Sequence, residues 1–146
     1  MNAPTAADDG EPVRYVGFWV RVAASLIDTV LALFVIVPIM VFLFGNGWAY
    51  AEGAAAVIIN WVLPGAAFVA FWVARGATPG KMAFSAVVVD AATHETPDFW
   101  QALTRYVGYF VSTTPLFAGL VWVAFDARKQ GWHDKMARTV VIYRRR

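Results

Sequence analysis

No cysteine occurs among the 146 residues, and only 15% of positions are charged. Without a thiol there is no disulfide, no thiolate metal site and no cysteine nucleophile. The scarcity of charge excludes more, because soluble domains carry about 25% charged residues. Also absent are a serine nucleophile elbow, a phosphate-cradling glycine loop and an acid–base carboxylate pair. No enzymatic activity, cofactor or metal is therefore expected, and the few basic residues track apolar boundaries rather than a nucleic-acid face. What the chain has instead is apolar mass: 60% hydrophobic and 16% aromatic positions. That exceeds the roughly 45–50% of a water-soluble domain and points to a membrane protein.

The apolar residues fall into three blocks. Residues 18–44 are interrupted only by Arg21, Ser25, Asp28, Thr29 and Pro38. A helix crosses the hydrocarbon in about 20 residues, so this block spans with length to spare, and Pro38 is expected to kink it. Residues 54–74 form a second span, with Asn60 and Pro64 inside. Residues 106–125 form a third block, just long enough to cross but broken by Ser112-Thr113-Thr114-Pro115.

Twelve lysines and arginines set the orientation: none lies in residues 45–53, and seven follow Phe125. Loops rich in these residues stay in the cytosol, so both termini are expected inside. Three complete crossings would export the tail. The agreeing arrangement is a re-entrant hairpin over 106–125, hinged at Thr113-Thr114-Pro115, each arm reaching about 15 Å. The alternative is a third straight span with an exterior tail.

The expected architecture is an all-α membrane protein with two full transmembrane helices, a broken re-entrant helical hairpin and a small two-stranded cytosolic β element. Residues 1–14 read as a disordered cytosolic tail without a secretory leader. Residues 15–143 form the membrane domain, with 75–105 as cytosolic connector, and 144–146 form a basic tail suited to anionic lipid headgroups. In the connector, Thr78-Pro79-Gly80 suits a type II turn before Lys81. Residues 81–90 and 139–143 suit two strands that pair. Thr96 is the expected N-cap of an interfacial helix, with Pro97 its first residue.

Arg21 and Asp28 share a face of the first span, about 10 Å apart along the axis. Arg21 can snorkel to the interface. Asp28 lies about 15 Å in, where an aspartate costs about 2.5–3.5 kcal/mol and is kept only with a partner. It reads either as an ion or proton site or as a packing partner. Asn60, Thr113 and Thr114 are the candidate co-ligands at similar depth, with Thr29 beside them. Arg105 and Asp126 bracket the hairpin and could pair at its mouth.

The motifs resemble the bacterial RDD family. Tyr15-Val-Gly-Phe-Trp-Val-Arg21 with Asp28, Ala77-Thr-Pro-Gly-Lys81, Arg105, and Lys129-Gln-Gly-Trp-His-Asp134 occur in the family's order. Trp132 departs from the smaller aliphatic residue common there. The resemblance implies a multi-pass protein of the bacterial inner membrane, with Arg21, Asp28 and Asp134 as the named triad, and with transport suspected. Some members are reported as monovalent cation/proton antiporters. Asp134 is then expected to meet Arg21, and exchanging the two charges should restore folding. Two functions follow: a homo-oligomeric transporter of monovalent cations, protons or a small ligand through Asp28, or a non-catalytic membrane scaffold recruiting a partner.

Overall fold

The computed structural model describes residues 12–50 and 52–144, so most of the expected disordered tail (1–11) and the last two arginines lie outside it. Helix α1, Phe18–Phe44, has the expected bounds and continues through Pro38. Gly45, at φ +66°, closes it by donating to the Val41 carbonyl. Helix α2, Gly53–Arg75, is the second apolar rod. Between Ile58 and Val62 it widens to a π-helical turn, with the Leu63 amide reaching back to Ile58. The cause is Pro64, which lacks the amide that would hold the preceding turn. The Tyr106 hydroxyl donates to the Trp61 carbonyl of that turn, at 2.7 Å.

Among the described residues, two helices are long and apolar enough to cross a membrane, or three if the later bent pair counts as one span.

The connector departs from the sequence reading in three places. Residues 79–83 are not a turn entering a strand; Pro79–Ala83 is a short helix, α3. Proline at the first helical position has its φ preset for a helix, and Thr78 before it is extended. Strand β1 therefore begins later, at Ala86–Asp90. The next helix, α4, is Phe99–Thr113, and its N-cap is Asp98 rather than Thr96. Asp98 accepts from the Gln101 amide at 2.7 Å while Gln101 accepts from the Asp98 amide at 3.2 Å. That reciprocal box satisfies two orphan donors, which Thr96 cannot do from two residues upstream.

Helix α4 is continuous into the third apolar block, so the expected interfacial helix and the first hairpin arm are one element. After a turn at 114–117 the chain resumes as α5, Ala118–Ala124, bent 112° from α4. The arms are thus unequal. Leu116 and Phe117, both at positive φ, carry the reversal. Gly119 lets α5 fold against α4: a Cβ there would lie 2.7 Å from the Ser112 Cα.

Helix α6, Trp132–Met136, leads into β2, Thr139–Tyr143. As expected, β1 and β2 pair, antiparallel, from Ala86 opposite Tyr143 to Asp90 opposite Thr139. Residues 14–16 take the other edge of β2. The Arg14 carbonyl accepts from Tyr143, Tyr15 bridges Ile142, and Val16 donates to Val141. Arg14, read as tail from sequence, is therefore ordered. Val16, Val88, Val141, Trp72 and Ala102 bury together where this sheet meets α2 and α4.

Gly119→Val should lower stability by about 1–3 kcal/mol through overpacking. Gly47→Ala, with open space around the added carbon, should be near neutral. Thermal unfolding of the detergent-solubilised protein checks both; equal melting temperatures would refute the packed hairpin.

Candidate functional site

Three elements converge on Asp134. Helix α6 starts after Gly131 in extended backbone, and Asp134, its third residue, reaches back to accept the Gly131 amide at 2.9 Å. The same oxygen accepts from the Arg21 guanidinium of α1 at 2.5 Å. The other oxygen accepts from Arg105 of α4, which also donates to the Thr139 hydroxyl at 2.9 Å. Arg21 further donates to the carbonyls of Val16 and Lys129. Asp134 and Arg105 are fully buried.

Two Arg105 nitrogens have no hydrogen-bond partner among the described residues. The guanidinium instead lies over the rings of Trp72 and Tyr109, 5.3 and 5.8 Å from their centres. Such faces partly replace lost water around a cation.

Burial opposes ionisation of Asp134, but the Arg105 and Arg21 cations outweigh it and hold the carboxyl well below the usual carboxylate range. His133, stacked on Tyr109 at 4.1 Å, responds differently. Burial lowers it, Asp134 raises it, and the surrounding cations lower it again, to about 3. It is neutral at physiological pH. Its Nδ1 lies 3.3 Å from the Ser112 hydroxyl and its Nε2 lies 3.4 Å from Asp134. Gly108 makes room for it: a Cβ there would lie 2.8 Å from the His133 Cα.

A second node holds Asp28. Its carboxylate accepts from the Thr78 hydroxyl at 2.5 Å and the Gly80 amide at 2.7 Å. Gly80 is required because any Cβ would press on the Ala24 carbonyl of α1. The turn motif Thr78-Pro79-Gly80-Lys81 thus docks α3 onto the first span. Lys81 follows, only 5% exposed, and burial pulls its ammonium below the ordinary lysine range.

The expected co-ligands do not gather on Asp28. Asn60 donates to Ala56, Thr113 to Tyr109 and Thr114 to Phe110, each within its own helix. Such back-bonding is the local option open to short polar side chains in apolar helices. Thr29 does the same toward Ser25. Nor does Arg105 pair with Asp126. Asp126 binds Lys135 at 2.5 Å and the amides of Arg128 and Gln130, while Arg105 is taken by the more buried Asp134. Lys81 was read only as the end of the turn motif, and His133, Tyr109 and Ser112 were not read as site residues; the adjacency of His133 to Asp134 was the available sign. Among the described residues, no three metal-binding side chains cluster.

Between α1 and the α4–α5 hairpin lies a half-open cavity of about 330 Å³. Arg21, Lys81 and His133 line it together with Leu26, Phe117 and Leu120.

The gripping of Asp134 by two arginines changes the charge-exchange expectation. Asp134→Asn should cost about 3–5 kcal/mol, because it strands buried cations. The double exchange Arg21→Asp with Asp134→Arg should fail to recover stability, since Arg105 would then face an arginine. Denaturation followed by tryptophan fluorescence checks this; full recovery in the double variant would refute the three-way contact.

The sequence is similar to an uncharacterized protein, RP437, of Rickettsia prowazekii (strain Madrid E), 37% identical over 75 residues. That match covers 51% of this chain and 41% of the relative's length. No solved structure matches. The model of the RDD family matches residues 15–138, a stretch that contains Arg21, Asp28, Arg105 and Asp134 and leaves out only the ends. The chain belongs to the RDD family.

Proposed function

We propose that this protein is a transport subunit of the bacterial inner membrane, with both termini cytosolic, in which Asp28 couples proton or monovalent-cation occupancy to docking of the connector. One observation carries the reading. Asp28 sits in the first span, and its carboxylate is the hydrogen-bonding tie between α1 and α3, through Thr78 and Gly80. A proton or cation on those oxygens competes with both donors. Loading the carboxylate therefore loosens the connector, and emptying it restores the dock. Two spans and a hairpin enclose no wide path, so the working unit is a homo-oligomer. No enzymatic step is part of this reading: Ser112 is fully buried, beyond reach of a substrate carbonyl.

The topology has its own support. Strand β2 is bonded to β1 in the connector and to residues 14–16 before α1. If α1 and α2 both cross, those segments share a side, and the strand that joins them shares it too. The α4–α5 pair then enters and leaves on that side. The basic residues crowd there as well, as the positive-inside rule requires.

A scaffold role is the second reading. It is favoured by the Asp134 node, whose carboxylate is fully engaged by donors from the same chain.

A cysteine placed at the carboxyl end should react with a membrane-impermeant maleimide only after the cells are opened. Labelling in intact cells would overturn the shared-side arrangement. In proteoliposomes with an imposed pH gradient, Asp28→Asn should cut cation or proton flux at least tenfold while chromatographic behaviour is kept. Unchanged flux would remove Asp28 from transport, and wild-type protein without flux that copurifies with a stoichiometric partner would favour the scaffold.

A further inference from the structure

We infer that the cavity between α1 and the α4–α5 hairpin is a seat for one anionic phospholipid, whose phosphate is held by Lys81 with Arg21 beside it. This site stands whether or not ions cross the protein.

Lys81 lines the cavity at 5% exposure, and among the described residues its ammonium makes no hydrogen bond and no ion pair within 4 Å. The residue is nearly covered, yet its nitrogen is not sealed from open space, so its three donors are available to an anion in the cavity. The neighbours that favour the cation are Tyr109 and then Asp28, and neither makes a hydrogen bond or ion pair with it among the described residues. Asp134 is engaged by two arginines, and the Asp28 oxygens are engaged by Thr78 and Gly80. Around the cavity the cations Arg21, Lys81 and Arg105 outnumber these two carboxylates, and His133 is uncharged. The field in the cavity favours an anion.

Leu26, Phe117 and Leu120 give the cavity an apolar wall, with Ser25 and Thr29 also on its lining, and Leu26 and Phe117 open outward, at 63% and 59% exposure. The cavity thus offers cations to a charged group and apolar surface to hydrocarbon. A volume of about 330 Å³ lies at the low end of ligand sites, which run from about 300 Å³. It suits a headgroup with the first carbons of its chains against the apolar wall.

Helix α1 has 27 residues, or about 40 Å, against a hydrocarbon core of about 30 Å. About 20 residues, 25–44, cover that core, which leaves the turns that carry Arg21 at headgroup level, where lipid phosphates lie. A free solute anion would meet the cations but gain nothing from the apolar wall. A phospholipid satisfies both.

Native mass spectrometry of the full chain in mild detergent tests this, with phosphatidylglycerol, phosphatidylcholine and glycerol 3-phosphate as probes. The wild type should retain phosphatidylglycerol at least fivefold over phosphatidylcholine. Lys81→Gln should bring the two to parity, Lys81→Arg should keep the preference, and Arg75→Gln, an exposed cation at the end of α2, should leave it unchanged. Leu26→Trp, which narrows the mouth without changing charge, should also lower retention at least threefold. If Lys81→Gln does not fold, the Leu26 variant decides alone. Equal retention of the two lipids by the wild type overturns the proposal. So does a preference that survives both substitutions, or binding of glycerol 3-phosphate as tight as that of the lipid.

Discussion

A carboxylate held between two guanidiniums, with a backbone amide as third donor, fixes how this chain closes on itself. Asp134 belongs to the tail, Arg21 to the first span and Arg105 to the hairpin, so one side chain joins elements 113 and 29 residues away. Burial works against every charge in the group, and the ion pairs stand against that penalty. The second cation is not balanced by a second carboxylate. It is accommodated by the faces of Trp72 and Tyr109 and by the Thr139 hydroxyl. Because Thr139 opens β2, the node also sets where the terminal strand begins, and through β2 it fixes the register of β1 and of residues 14–16.

Helix α1 carries a second clamp about 10 Å further along the same face. Arg21 holds the tail and Asp28 holds the connector, so both later segments index to one helix. Past Asp28 the helix has little contact with the rest of the chain: none of its residues from Thr29 to Phe44 is buried. The division has a physical basis. Lipid is as apolar as leucine, so burying Val30 or Phe34 against another helix gains little over leaving it in the bilayer. Polar groups have no such freedom, and the described part of the fold is organised around where they are satisfied.

How much of this could be read from the residues follows the range of the forces involved. The bounds of the first long helix were legible because hydropathy is a local property, and Gly45 marks its end. The β1–β2 pairing was legible because two short β-branched runs stand out in a mostly helical chain. The meeting of Arg21 with Asp134 followed from the family motif rather than from spacing. The connector was misread because α3 depends on a distant contact. Pro79 and Gly80 suit a turn as well as a first helical turn, and only the Ala24 carbonyl and Asp28 carboxylate of α1, more than fifty residues away, select the helix. Asn60, Thr113 and Thr114 were grouped with Asp28 by depth alone, and depth does not say which way a side chain turns. Each had a carbonyl of its own helix within reach, and nothing drew it away.

The same reasoning explains the glycines. Where helices gain little by hiding apolar surface, contact comes from close approach, and close approach needs small residues. Gly65 meets the Tyr106 ring, Gly80 meets the Ala24 carbonyl, Gly108 meets His133 and Gly119 meets Ser112; at each, an added carbon would fall inside normal contact distance. Three of these four junctions lie within a residue or two of a buried polar contact: Gly80 beside Asp28, Gly108 against His133, and Gly119 against Ser112. The glycine brings the backbones near enough for the hydrogen bonds to form, and the hydrogen bonds fix which of several close approaches is adopted. Neither works alone. A glycine contact without the polar partner would slide, and a polar pair without the glycine could not close. Gly65, whose contact is the Tyr106 ring, follows the same rule one step removed, because the hydroxyl of that ring is bonded to the widened turn of α2.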